Sequence, residues 1–253
     1  MSKESFRDLI LAELDRSAAL RAHVVEDAGF AGRRRLLRVW QGERLARTHA
    51  DLLESPRFHD AAQFFLAELY GPSDLSRHIE DVRRIVPVMM AALPEAGLAT
   101  VAHAIELNRL SESLDSEMVE ALSDRATQIT DAAYAQAYRA VGREADRSRQ
   151  IDLIALLGQA LDRLTRYRFI GIALRAMRGP AELAGLGELQ GFLERGYGAF
   201  SAMCGGAAEF VAIVAARERA LLAALLAGDA SALPTPGDPP SKVSRKPPQP
   251  IRA

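Results

Sequence analysis

The chain has 253 residues, 49% hydrophobic and 26% charged, with a formal net charge of −1. A domain of that size and balance can bury a sufficient core without metal or disulfide, and its composition is neither that of a membrane protein nor that of a disordered one. Near-neutral charge supplies no long-range field for a polyanion, which argues against a nucleic-acid binder. The single cysteine, Cys204, excludes an intramolecular disulfide and a zinc site built of cysteines.

Glu4 and Asp8 stand where a secretion signal would need a basic start and an apolar run, so a cytoplasmic protein with no membrane attachment is expected. The most apolar stretch, residues 199–216, is interrupted by Gly205-Gly206 and Glu209 and is read as a buried helix rather than a membrane span. Among 32 cationic side chains only Lys3, Lys242 and Lys246 are lysines, a bias read as codon usage in a GC-rich genome.

Apolar residues recur at helical spacing nearly throughout, with no alternating strand pattern of useful length, so the expected class is all-α. Phe6, Ile10 and Leu14 line the face of a first helix over residues 3–26, followed by a break at residues 29–32. A second helix is expected over residues 33–53. Its Arg33-Arg34-Arg35, Arg38, Arg44 and Arg47, around Trp40, are expected to form a solvated face paired with Glu43 and nearby acids, with phosphate contact as the alternative. A third runs from Pro56 to Tyr70, where Gly71-Pro72 stops it. A fourth, over residues 76–93, stacks Ile79, Val82, Ile85 or Val86, and Met89, with Glu80 paired to Arg84 outside and a kink or break at Pro87.

Pro94 is expected at the first position of a fifth helix reaching Leu114, followed by a short separate piece over residues 116–122. Thr130-Asp131 caps a helix carrying Tyr134 and Tyr138, and an ion-paired exposed run covers residues 143–149. Ile151, Ile154, Leu157, Leu161 and Leu164 form a core stripe. Gly179-Pro180 ends the next segment. The last two helices cover residues 187–203, with Leu189, Leu193 and Phe200 inward, and residues 207–227. No fixed-period repeat occurs, so the expectation is a compact single-domain bundle of about eight to ten helices over residues 1–228. Residues 229–253 hold seven of the twelve prolines and read as a disordered tail.

Candidate site residues fall in two places. Phe64-Phe65-Leu66-Ala67-Glu68-Leu69-Tyr70, with Asp74 beyond, concentrates aromatics in a chain only 6% aromatic. Core packing is the leading reading of Phe64 and Phe65, and the lining of an apolar ligand site with Met89 and Met90 is the alternative. The second place is His103 with Glu106, one helical turn apart, which with Glu68 or His78 would supply metal ligands between helices. The bland reading is a hydrogen-bonded pair in the core.

Zinc-protease, phosphate-loop and serine-elbow motifs do not occur in the sequence. Gly185-Leu186-Gly187 and Gly196-Tyr197-Gly198 follow no strand and fail as a dinucleotide fingerprint. Cys204, with no basic neighbour, reads as a buried inert thiol.

The run from Phe64 to Tyr70, followed by Gly71-Pro72 and Asp74, resembles the signature of the FFLEELY-motif family of bacterial proteins, with Ala67 in place of its usual acidic residue. The likeness extends through Val86-Pro87-Val88-Met89-Met90, Leu93-Pro94, Met177-Arg178-Gly179-Pro180 and Phe192-Leu193-Glu194-Arg195-Gly196, over roughly residues 33–220. It implies a helical bacterial protein whose family carries no assigned catalytic residues. The expected role is a non-enzymatic module for a protein partner or a small apolar ligand, with no cofactor assigned. The alternatives are a metal- or haem-dependent bundle enzyme and a carrier of an apolar ligand.

Overall fold

Eleven α-helices follow one another among the described residues, with no strand between them. The computed structural model describes residues 2–26, 28–69, 77–122 and 128–234. The helices are α1 (Lys3–Glu26), α2 (Ala28–Thr48), α3 (Ala50–Glu54), α4 (His59–Leu69), α5 (Arg77–Ala92) and α6 (Glu95–Ala121). They continue as α7 (Asp131–Val141), α8 (Glu144–Thr165), α9 (Arg168–Leu183), α10 (Gly187–Ala202) and α11 (Ala207–Leu226), before a 3-10 turn, Ala230–Ala232.

Local chemistry explains several ends. The Thr130 side chain accepts from the Ala133 N–H and so satisfies one of the orphan donors of α7. Gly142, at φ 63°, ends α7, and Gly228, at φ 86°, follows α11, both in a backbone region that favours glycine.

Two long helices form the spine. α6 packs against α1, α2, α7 and α8, and α8 packs in turn against α11. Phe30, Leu37, Trp40, Met118, Tyr134 and Leu225 belong to one core cluster at the α2–α6–α7–α11 junction, and Phe58, Phe200, Met203 and Phe210 to a second. Ile10, Leu14, Val86, Met89, Leu98 and Ile105 form a third between α1, α5 and α6. The stripe on α8 is inward as expected for Ile151, Ile154, Leu157 and Leu161, whereas Leu164 lies exposed near its end.

Several expected boundaries moved. Residues 29–32 do not break the chain, because α2 runs through both glycines. Burial of Phe30, Arg34 and Leu37 along one face outweighs a glycine penalty of about 1 kcal/mol each. The helix then stops at Thr48 and restarts as α3 after His49, whose backbone is not helical. Pro56 lies in a turn before α4, and Pro94 caps α6 rather than occupying its first position. The piece at 116–122 is the end of α6, since Met118 and Val119 are buried in register with it.

Pro87 and Pro180 sit inside α5 and α9. Both lie on exposed faces, where water can serve the carbonyl that each proline leaves without its helical bond. Pro180 therefore does not end its helix as Gly179-Pro180 had suggested. The stop at Gly71-Pro72 falls outside the described residues. So does the Pro-rich stretch from 235 onward, but the chain from 229 to 234 is packed, with Leu233 buried in the first core cluster.

Among the described residues no single helix is long and apolar enough to cross a membrane. α10 and α11 pass that test only as a pair, bent by 102°.

Candidate interaction surface

Phe64 and Phe65 lie on α4 and are half-buried against α10 and α11. The Phe64 ring sits 5.5 Å from that of Phe192, and Phe65 lies 6.1 Å from Phe200 and 5.5 Å from Phe210, centroid to centroid. A Cβ at Gly196 would stand 3.0 Å from Phe64, so that glycine lets α10 approach the ring closely. Met89 and Met90 belong to the separate cluster between α1, α5 and α6, so these four side chains do not line one cavity. Glu68 lies in α4 and His78 in α5, with side chains outside the described set, as are Tyr70 and Asp74 altogether.

His103 and Glu106 share a face of α6, but the carboxylate is taken. Arg149 of α8 donates to both Glu106 oxygens at 2.8 Å, and this bond holds the Glu106 carboxyl below its ordinary range. Partial burial, with the Arg149 charge, pushes the His103 imidazole down as well. The Glu106–Arg149 ion pair clamps α6 to α8, and His103 lies beside it. Among the described residues no group of three or more His, Cys, Asp and Glu side chains could hold a metal ion. A hollow of about 520 Å³ between α1 and α6 is walled by Arg16, Leu20, Arg109, Ser113 and Glu117, and among the described residues neither Phe64, Phe65, Met89 nor Met90 borders it.

The polar feature that sequence reasoning missed is interior. Arg34, Gln41 and Arg44 are buried on the same face of α2 as Phe30 and Leu37, not on a solvated face. Arg44 donates to both oxygens of Glu218 on α11 at 2.7 and 2.8 Å. His49 Nε2 lies 3.2 Å from the same carboxylate, and its Nδ1 lies 3.5 Å from Arg217 Nη1. A neutral ring with the proton on Nε2 satisfies both contacts, donating to Glu218 and accepting from Arg217. Arg217 also holds Asp51 of α3 through two bonds of 2.7 Å.

Two arginines and two carboxylates thus alternate around one imidazole. The network clasps the α2–α3 joint onto α11. Beside it Gln41 and Arg38 reach Asp115 of α6, while Arg147 lies 3.6 Å above the Tyr138 ring and donates to the Gly142 carbonyl. Arg147 is therefore buried, contrary to an exposed run over 143–149. Burial pushes the Tyr138 phenol up to about 12. The signal in the sequence was the spacing Phe30, Arg34, Leu37, Gln41, Arg44, a core stripe with cations in it.

Exposed apolar side chains concentrate on α9 and its flanks. α9 rests on α10 through Ile170, Gly171, Leu174 and Ala181, with the Tyr197 ring so close to Gly171 that a Cβ there would stand 2.7 Å away. Gln190 donates to the Leu174 carbonyl, and Arg178 pairs with Glu194. The opposite face carries Phe169, Ile172, Ala176, Gly179 and Leu183, all exposed, with Leu183 at 92% and Ile172 at 61%. Tyr167 and Met177 add to the same exposed region, and Leu193 on α10 is also exposed rather than inward. Cys204 is exposed too, at φ 49°, because the turn between α10 and α11 points it outward.

No curated protein matches the chain, and no solved structure does. A family described as a domain of unknown function (DUF8198) matches it over residues 20–232, from within α1 to the end of the 3-10 turn. That span covers both helices of the spine, the Arg44–Glu218 network and α9, and the chain belongs to the DUF8198 family.

Proposed function

We propose that this chain is a protein-interaction module whose docking surface is the outward face of α9. One observation carries the reading: a helix held to its neighbour by one face presents a second apolar face to solvent. Isolated exposed hydrophobic residues are ordinary on any protein, but a continuous apolar stripe along four turns of one helix is the kind of patch that marks an interface. The reading places the module in a bacterial cytoplasm. Its support there is the resemblance carried by residues 64–74 and a single cysteine, exposed and unbridged.

The test is capture of partners by immobilised full-length protein, compared with an Ile172→Asp variant whose fold is checked by circular dichroism. A charge at the centre of the stripe is expected to remove bound partners by tenfold or more, since burying an unpaired carboxylate is costly. Partners retained equally by both proteins would overturn the reading.

A further inference from the structure

The outward stripe of α9 repeats at alternating steps of three and four: Phe169, Ile172, Ala176, Gly179 and Leu183. Written as heptads, Phe169, Ala176 and Leu183 take position a, and Ile172 and Gly179 take position d. The flanking positions are then Ala173 and Pro180 on one side (e), and Arg175 and Glu182 on the other (g). All nine residues are exposed, and the buried Gly171 and Ala181 lie on the far side of the helix.

We infer that the occupant of this face is a second copy of the same chain, with the two α9 helices antiparallel about a two-fold axis passing between residues 177 and 178. The inference rests on the docking reading above and names its partner.

Three features of the stripe agree on that register. Placing Ala176 opposite the partner's Gly179 brings Ile172 opposite the partner's Leu183, so large residues meet at both ends and small ones in the middle. A Cβ at Gly179 would touch nothing within 4 Å, so the centre is open for a second backbone to come close. The same register sets Arg175 opposite the partner's Glu182, and by symmetry Glu182 opposite the partner's Arg175, giving two ion pairs along one edge.

The other edge then pairs Ala173 with the partner's Pro180, both small and uncharged. A parallel arrangement would instead set Ile172 against itself and Gly179 against itself, leaving a gap at the glycines. It would also set Arg175 across from the partner's Pro180, with no ion pair along either edge. An isologous contact needs a surface complementary to itself, and from Ile172 to Leu183 the order large, small, small, large, with opposite charges at successive g positions, pairs opposite charges only when reversed.

A helix of 16 residues is about 24 Å long. One such pair buries less than the roughly 1,200 Å² at which stable interfaces begin, so a reversible dimer with a micromolar dissociation constant is expected.

Sedimentation velocity on the full chain at about 50 mM salt, where surface ion pairs are weakly screened, reads the equilibrium directly. Arg175→Glu alone and Glu182→Arg alone should each weaken association by about tenfold, and the double exchange should restore it to within about threefold of the natural chain. A chain that stays monomeric up to about 500 µM would overturn the inference, while partner capture lost in Ile172→Asp would still uphold the docking reading. A dimer that neither Ile172→Asp nor the single charge reversals weaken would place the contact elsewhere and overturn the inference. A dimer broken by Ile172→Asp but not rescued by the double exchange would overturn the register.

Discussion

Burial alone would push the Glu218 carboxyl upward, but the charge of Arg44 and the hydrogen bond from His49 outweigh it and hold the pKa at about 2, against an ordinary value of 4.5. Because the folded value lies below the unfolded one, the ionised group contributes stability above about pH 4.5 and loses it as pH falls toward 2. The shift corresponds to about 3 kcal/mol at neutral pH. Glu218→Gln keeps the shape and removes the charge that Arg44 faces across α2 and α11, a change that costs about 3 kcal/mol or more. Urea unfolding at pH 7 and pH 3 checks both points. The gap between the natural chain and the variant should narrow by about half at pH 3, as the natural carboxylate loses its advantage. A gap unchanged between the two pH values would mean that the network does not act through the Glu218 charge.

At the scale of helices, α8 and α11 meet at a close joint. A Cβ on Gly158 would fall 2.3 Å from Val211 Cγ2, closer than two carbons can stand, so the missing side chain sets the distance between the two helices. Gly158→Ala gains about 1 kcal/mol in helix propensity yet forces a shift in a packed core, which costs about 1–3 kcal/mol. A net loss of stability is expected. Val211→Ala, destabilising by itself, should relieve the clash, so the double variant should be more stable than the sum of the singles by about 1 kcal/mol. Strictly additive losses in thermal melts of the four proteins would show that the two helices can separate freely.

Nothing in the sequence singled out Gly158. It reads there as one more small residue in an apolar stripe, because spacing gives the face of a helix but not the partner lying across it. The helical class and most helix positions were legible, since their apolar residues keep a 3.6 period, and Thr130 was legible as a cap. Two of the misplaced boundaries share one cause. Local signals at residues 29–32 and Gly179-Pro180 are worth about 1–3 kcal/mol, and each yields where packing or an exposed face makes continuation cheaper. For the candidate site the difference was larger. Arginines in a run look solvated, whereas the spacing of Arg34 and Arg44 puts them on the buried face. The outward stripe of α9 was hidden for the opposite reason, because an apolar residue in sequence carries no mark of which face stays uncovered.

For the molecule as a whole, the question is where the folded unit ends. Composition favours a boundary at Gly228, where proline becomes frequent, yet the next six residues are held by three separate contacts. The Asp229 side chain accepts from the Ser231 N–H at 3.0 Å, Leu233 is 2% exposed in the cluster of Trp40, Tyr134 and Leu225, and Arg47 donates to the Pro234 carbonyl at 2.9 Å. One buried leucine suffices to anchor such a segment, since its removal opens the core that α2, α7 and α11 share and costs about 2–4 kcal/mol. In a domain of this size each kcal/mol moves the melting temperature by about 2–4 °C. Truncation after Gly228 should therefore lower the melting temperature by about 4–15 °C, and truncation after Pro234 should leave it within about 1 °C of the full chain. The two truncations differ by only six residues, so the contrast isolates the Leu233 anchor from anything the Pro-rich stretch contributes. Equal melting temperatures for the two would assign the boundary to Gly228 after all, whereas a loss in both would mean that residues beyond Pro234 also support the fold.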